Sequence, residues 1–235
     1  VTDAITSPLP GDAIAACFGS ITAASATSAA CTAIRRDPLS GSFDGESLGL
    51  PRPLSNLGRL KTDGLDVNLT YSTDLGFAKL GVSGNFNYTF RSQFQATPTS
   101  VNRECVGYYS PNCSFTGSIQ PKWQTSLRTT LGFENFDVSL LWRHIDKVIQ
   151  EPLNAAAPTA ANGFFGDDTP FFPAFRQIRA YDYFDLTGRF NILDNITLIA
   201  TVSNLFDTKP PLVGAAAGST SFNSGNTFPS TYDAL

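Results

Sequence analysis

The chain has 235 residues, 42% of them hydrophobic and 15% charged, with a formal charge of −4. Without a run of Lys or Arg the main attraction to a phosphate backbone is missing, so nucleic acid is excluded as a partner. Nineteen Gly, nineteen Phe and seven Tyr, with few long charged helix-forming stretches, favour strands over helices.

Methionine is absent, so Val1 is not a translated start, and VTDAITSPLP has neither the basic nor the apolar stretch of a signal peptide. The expectation is an interior piece of a longer chain. Ala13 to Ile34 is uncharged and long enough to be mistaken for a membrane helix. Ala, Ser and Thr dominate it, however, and its transfer into hydrocarbon is too weak to hold it there. A loop with room for a short helix is expected instead. The four cysteines form two local pairs, Cys17 with Cys31 and Cys105 with Cys113. Neither spacing matches a CxxC zinc knuckle and His144 is the sole imidazole, so no metal and no cofactor are expected. Two disulfides in an oxidising compartment are expected, with four free thiols in a cytosolic fold as the alternative.

Period-two alternation then sets in. Leu65, Val67, Leu69 and Tyr71 alternate with Asp66, Asn68, Thr70 and Ser72. In AKLGVSGNFNYTFR, Ala78, Leu80, Val82, Phe86, Tyr88 and Phe90 share one parity, and Lys79, Ser83, Asn85, Asn87, Thr89 and Arg91 the other. Trp123, Leu127, Leu131 and Phe133 oppose Lys122, Gln124, Ser126, Arg128 and Glu134. Phe136, Val138, Leu140 and Trp142 oppose Asp137, Ser139 and Arg143, with Leu141 as the exception. Phe184, Leu186, Phe190 and Ile192 oppose Tyr183, Asp185, Thr187, Arg189 and Asn191. Ile196, Leu198, Ala200, Val202 and Phe206 oppose Thr197, Thr201 and Ser203, with Ile199 and Leu205 as exceptions.

Most of these segments exceed the usual strand length of about five or six residues, and a tilted strand of about ten crosses a bilayer's hydrocarbon. Tight turns at Asp74–Gly76, Glu134–Asn135 and Leu193–Asn195 alternate with long connectors, Ser92 to Gln120 and Lys147 to Gln177. Short turns at one end and long loops at the other describe an outer-membrane barrel. The wet parity carries Asn, Ser, Thr, Lys and Arg through whole strands, as the lumen of a large barrel does. Tyr88, Phe90, Trp123 and Trp142 lie near strand ends, where interfacial aromatic girdles belong. A soluble sandwich also alternates and is the competing fold.

The stretches NLGRLKTDGLDVNLTY (Asn56 to Tyr71), YDYFDLTGRFNILDNITLIATVSNLFDTKPP (Tyr181 to Pro211) and NTFPSTYDAL (Asn226 to Leu235) resemble the carboxy-terminal barrel of TonB-dependent outer-membrane receptors. The NLFD element followed by prolines is the most specific part; in that family it closes the penultimate strand before the last extracellular loop. The resemblance covers Leu54 to Leu235 well and Val1 to Pro53 more loosely. It implies an all-β fold, a partial antiparallel transmembrane β-barrel of six strands, with Val1 to Thr6 as remnant of a seventh, out of about 22. A plug, a TonB box and the terminal strand of that family have no counterpart in these residues. Such a piece exposes two unpaired edges and is not expected to fold as an isolated barrel.

What the resemblance implies about function is energy-coupled uptake, without enzymatic activity, of a large scarce solute: an iron–siderophore, a corrinoid or an oligosaccharide. Implied partners are outer-membrane lipid of a Gram-negative cell, TonB through an amino-terminal region, and the extracellular solute. A passive porin-like or structural barrel and a secreted soluble β-rich binding protein or hydrolase are the alternatives. Tyr108, Tyr109, Phe164, Phe165, Phe171, Phe172 and Phe175, with Arg176 and Arg179, crowd the long connectors and are the candidate ligand contacts, because aromatic faces stack on flat ligands and Arg pairs with carboxylates. Arg128, Arg143, Asp185 and Arg189 are expected to face the lumen and bond a plug. His144 is expected to be structural or interfacial, since it has no nucleophile partner in the sequence. Asp167 and Asp168 read as a solvated loop, and the N-x-[ST] triplets at Asn68, Asn87, Asn112 and Asn195 are assigned nothing.

Overall fold

Where the residues alternate, the chain is extended. In chain order the elements are β1 (Ala4–Thr6), α1 (Pro10–Phe18), a 3₁₀ turn (Ser25–Thr27), α2 (Ala29–Thr32), β2 (Ser55–Asp74), β3 (Lys79–Gln95), β4 (Arg103–Glu104) and β5 (Tyr108–Tyr109). They continue with β6 (Trp123–Gly132), β7 (Phe136–Ile145), β8 (Val148–Gln150), β9 (Gln177–Ile178), β10 (Tyr181–Leu193) and β11 (Ile196–Val202). The computed structural model describes residues 2–18, 22–42, 48–98, 100–110, 113, 119–151, 176–193, 195–213, 227–228 and 231–232. Contacts divide the chain into a unit built on 1–61 and 93–104 and a unit built on 62–92, 105–153 and the residues from 159 on.

In the first unit, β1 pairs antiparallel with the start of β2, Ala4 opposite Gly58 and Thr6 opposite Ser55, so the short seventh strand exists. The end of β3 pairs with β4, Phe94 opposite Arg103. The segment 13–34 is more helical than expected. Pro10 opens α1, where its missing N–H costs nothing, and Asp12 sits in the first turn against the helix dipole. Ser28 caps α2 by accepting the N–H of Cys31 at 3.3 Å. Cys17 and Cys31 are disulfide-bonded, tying α1 to α2. Asp12 and Arg103 form a largely buried ion pair.

In the second unit the strand order is β2-β3-β6-β7-β10-β11, each next to its neighbour in sequence among the long strands. β3–β6, β6–β7, β7–β10 and β10–β11 are antiparallel. The connections at the near end are tight. Leu75 donates to Ala78 O at 2.9 Å, and Gly76 donates to Asp74 Oδ1 at 2.7 Å with φ 86°, a left-handed value that glycine adopts without strain. Phe133 donates to Phe136 O at 2.8 Å across Glu134–Asn135. At Gly64 a side chain has no room: a Cβ there would meet Tyr88 O at 2.7 Å. Among the described strands this sheet is open, with β2, paired only along its start by the short β1, at one side and β11 at the other.

The far-end connectors differ from the expected irregular loops. β3 runs on to Gln95, and β5, β8 and β9 form a small sheet in which Tyr108 lies opposite Ile149 and Val148 opposite Ile178. Elements of two or three residues are too short for alternation to reveal. Cys105 and Cys113 are disulfide-bonded beside β5. The buried core of this unit lies here, around Tyr109, Val148, Tyr181, Tyr183, Phe228 and Tyr232. The last strand is also shorter than its alternation predicts: β11 ends at Val202, and Ser203 to Phe206 belong to a turn.

Candidate functional site

The register places the apolar parities of β3, β6, β7, β10 and β11 on one face. Leu80 pairs with Leu131, Leu127 with Trp142, Trp142 with Phe184, Leu140 with Leu186, and Leu186 with Val202. No second sheet among the described residues covers that face. Leu65, Val67, Leu69, Phe90, Phe190, Leu198 and Val202 are each at least 42% exposed, a large apolar surface that a soluble monomer does not leave to water.

Aromatic rings mark both ends of this face. At the turn end Phe133 and Phe136 stack at 4.5 Å, and Phe136 and Phe190 at 6.1 Å. At the loop end Tyr88 meets Phe90 at 5.3 Å and Phe184 meets Phe206 at 5.4 Å. Six residues separate Phe136 from Trp142, about 20 Å of strand, and membrane barrels carry such belts on either side of an apolar band about 25 Å tall.

His144 belongs to the loop-end belt. Its ring lies 4.9 Å from Trp123 and 5.9 Å from Trp142, and its Nδ1 is 2.8 Å from Asp182 Oδ1. Trp142 Nε1 donates to the same carboxylate oxygen at 2.7 Å. A carboxylate at the edge of an apolar face is thereby given two partners with N–H groups or their tautomers.

The opposite face is polar and internally bonded. Asn85 Nδ2 donates to Asn68 Oδ1 at 2.8 Å, Asn87 Nδ2 to Asp66 Oδ1 at 2.6 Å, and Arg91 Nε to Asp63 Oδ1 at 2.8 Å. Arg128 Nη1 donates to Ser139 Oγ at 3.0 Å. Arg143 lies 3.3 Å from Asp185 and 5.3 Å over the ring of Tyr183. Arg189 is opposite Asp137 in the β7–β10 register. The four residues expected on the lumen side thus share the wet face.

Asp185 has a second task that sequence reasoning missed. Its Oδ1 accepts the Asn204 N–H at 2.7 Å, and Leu205 N donates to Phe184 O at 2.7 Å. Asn204 then bonds Thr208 in both directions, Nδ2 to Thr208 O at 3.1 Å and Thr208 N to Asn204 Oδ1 at 2.9 Å. Asn204 and Asp207 have φ of 49° and 50°, which Asn and Asp tolerate better than other side chains. The NLFD element is a clamp that folds the chain back onto β10.

At the loop end the wet face becomes aromatic. Tyr181 and Tyr183 stack at 6.1 Å, Tyr232 meets Tyr181 edge-on at 5.1 Å, and Tyr109 meets Phe228 at 6.3 Å. Burial pushes the Tyr109 hydroxyl up to about 12 and raises that of Tyr232 further. Of the expected ligand contacts, Tyr109 is 2% exposed and packs in this core, Tyr108 is half-buried, and Arg179 lies over the Tyr181 ring at 5.2 Å. Arg176 is half-buried and its carbonyl accepts the Gln150 N–H at 2.9 Å. Phe164, Phe165, Phe171, Phe172 and Phe175 lie outside the described residues, as do Asp167 and Asp168. Tyr181, Tyr183 and Tyr232 were not singled out from sequence, although YDYFD itself holds two of them.

Residues 26–205 match the family model described as TonB dependent receptor-like, beta-barrel. The chain belongs to the TonB-dependent receptor β-barrel family. It is similar in fold to a variant of the ferric enterobactin receptor PfeA of Pseudomonas aeruginosa solved in complex with enterobactin, with 17% identity over 80% of this chain and 23% of that one and a TM-score of 0.50. Another variant of that receptor shares 18% identity over 76% of this chain and 21% of that one, with a TM-score of 0.48. No curated protein sequence matches. The TonB-dependent receptor barrel described by this chain spans less than a quarter of the length of those solved receptors. At such identity the likeness concerns the fold, and the open mostly antiparallel sheet agrees with a part of such a barrel.

Proposed function

We propose that the chain is part of the wall of a Gram-negative outer-membrane receptor that takes up a large, scarce solute when TonB acts on a plug inside the barrel. The observation that carries this reading is the uncovered apolar face, bounded by two aromatic belts and backed by a bonded polar face, in a chain of this family. Lipid is the solvent that such a face fits. A lumen is the space that Arg128, Arg143, Asp185 and Arg189 fit, with Arg128 and Arg189 available to acidic groups of a plug while Asp185 serves the NLFD clamp.

On this reading the protein is a transporter and not an enzyme. Iron–siderophores, corrinoids and oligosaccharides are the solute classes, and the loop aromatics with Arg176 and Arg179 are the outer contacts. The test is energised uptake by cells expressing the full-length receptor, with and without TonB. Loss of uptake without TonB is expected; uptake that persists unchanged would return the protein to the passive porin-like class.

A further inference from the structure

The wet face holds a cleft that the uptake reading leaves without an occupant. At the loop end of β3, β6 and β7, Asn85, Asn87, Gln124, Ser126, Arg143 and the loop residue Thr231 line a space of about 380 Å³, within the range of about 300–1,000 Å³ typical of small-molecule sites. Among the described residues that line the cleft, His144 included, Arg143 is the one permanently charged side chain, and Asp185 stands 3.3 Å from it. Arg128, further along β6, bonds the neutral Ser139 hydroxyl and is not among the residues that line the cleft.

The amides are held in place by the face itself. Asn85 gives one amide proton to Asn68, and Asn87 gives one to Asp66 and accepts from Thr89 Oγ1 at 3.2 Å. That leaves Asn85 with a second proton and a carbonyl oxygen directed by a fixed plane. Among the described residues the side chains of Gln124, Ser126 and Thr231 spend no hydrogen bond on the chain. The cleft therefore presents donors and acceptors side by side with its one cation matched.

We infer that this cleft takes a neutral polyhydroxylated solute, a short oligosaccharide segment, in preference to an anionic iron chelate. A sugar hydroxyl donates and accepts at once, as amides and hydroxyls do. A catecholate or carboxylate chelate only accepts, and its charge calls for a cation, while the one Arg that lines the cleft already faces Asp185. The inference rests on the uptake reading, because it supplies the solute class for the same lumen, yet it fails separately.

The experiment uses full-length receptor in detergent, screened against immobilised neutral oligosaccharides (glucans, xylans, galactans and mannans) and titrated with ferric enterobactin as the anionic probe. At least one neutral series is expected to bind and ferric enterobactin is not. Gln124→Leu and Asn85→Leu each weaken glycan binding by about tenfold, the loss of one or two neutral hydrogen bonds. Gln124→Glu, which keeps the side-chain size and secures folding, weakens it by removing the donor; heat-modifiable electrophoretic mobility reports the folded barrel for every variant. Absence of binding to all the neutral glycans, or affinity unchanged in the folded variants, overturns the inference. TonB-driven uptake of a ferric chelate by a receptor with no glycan affinity overturns it too, while leaving energy-coupled uptake standing.

Discussion

Asp185 Oδ1 accepts the backbone N–H of Asn204 at 2.7 Å, so a carboxylate on the wet face of β10 fixes the point where the chain leaves β11. The same carboxylate lies 3.3 Å from Arg143 and is mostly buried. Replacement Asp185→Ala removes a charge-assisted bond and this counter-charge together, at a cost of about 2–3 kcal/mol. The denaturant midpoint of the full-length receptor is the measurement. A midpoint equal to that of the native protein would mean that the bond contributes nothing.

Asn204 itself supplies a second comparison. Its φ of 49° and its two bonds to Thr208 make different demands, one on the backbone and one on the side chain. Asn204→Ala loses both and is expected to cost about 2 kcal/mol, of which about 1 is the left-handed backbone and the rest the bonds to Thr208. Asn204→Gly restores the backbone freedom and should recover about half of the loss. Equal destabilisation by Ala and Gly would assign the whole effect to the side-chain bonds.

The two faces of the sheet predict opposite tolerance for charge. Leu140 lies mid-strand on the apolar face, and Thr187 lies mid-strand on the other, where its Oγ1 meets Thr201 Oγ1 at 3.1 Å. Leu140→Arg is expected to destabilise the receptor by about 2–4 kcal/mol and to lower its yield in the outer membrane, the cost of Arg near a bilayer midplane. Thr187→Arg should cost far less. Similar losses at both positions would contradict the assignment of faces.

The loop core predicts a response to alkali. The Tyr109 hydroxyl is raised to about 12 from an ordinary 10.0 because its anion would be desolvated. A raised folded value for an acid means the neutral form is favoured in the fold, so this contribution is complete below pH 10 and is lost as pH rises toward 12. Tyrosinate absorbance of the full-length receptor should show a late-titrating class that loses one tyrosine in Tyr109→Phe and keeps Tyr232. Titration of every tyrosine near the ordinary value would contradict the burial.

Much of this was legible in the sequence because a sheet with one apolar and one polar face imposes a period of two over ten residues or more. Phe136 to Arg143 is legible as a strand, since apolar and polar residues alternate there except at Leu141. The beginning of β2 was not, because Asn56, Arg59, Lys61 and Asp63 put polar groups on both parities. The helices around Cys17 and Cys31 were hidden by Ala-, Ser- and Thr-rich composition, although Pro10, Asp12 and Ser28 are start signals. The clamp at Asn204 was recognised as a motif but extended as strand through Phe206. Its turn depends on Asp185, nineteen residues earlier, and no local pattern reports that partnership. The loop core escaped because three strands of two or three residues leave no period to count.

The most direct measurement concerns β7 in the full-length receptor reconstituted in lipid vesicles. Nitroxide labels placed singly from Phe136 to Ile145 would be relaxed by oxygen, which concentrates in acyl chains, and by a water-soluble nickel chelate. Oxygen relaxation is expected to peak at residues 136, 138, 140 and 142, and chelate relaxation or plug protection at 137, 139, 141 and 143, in strict alternation. Labels at 138 and 140 shielded from both reagents would place the apolar face inside a protein core and contradict its contact with lipid.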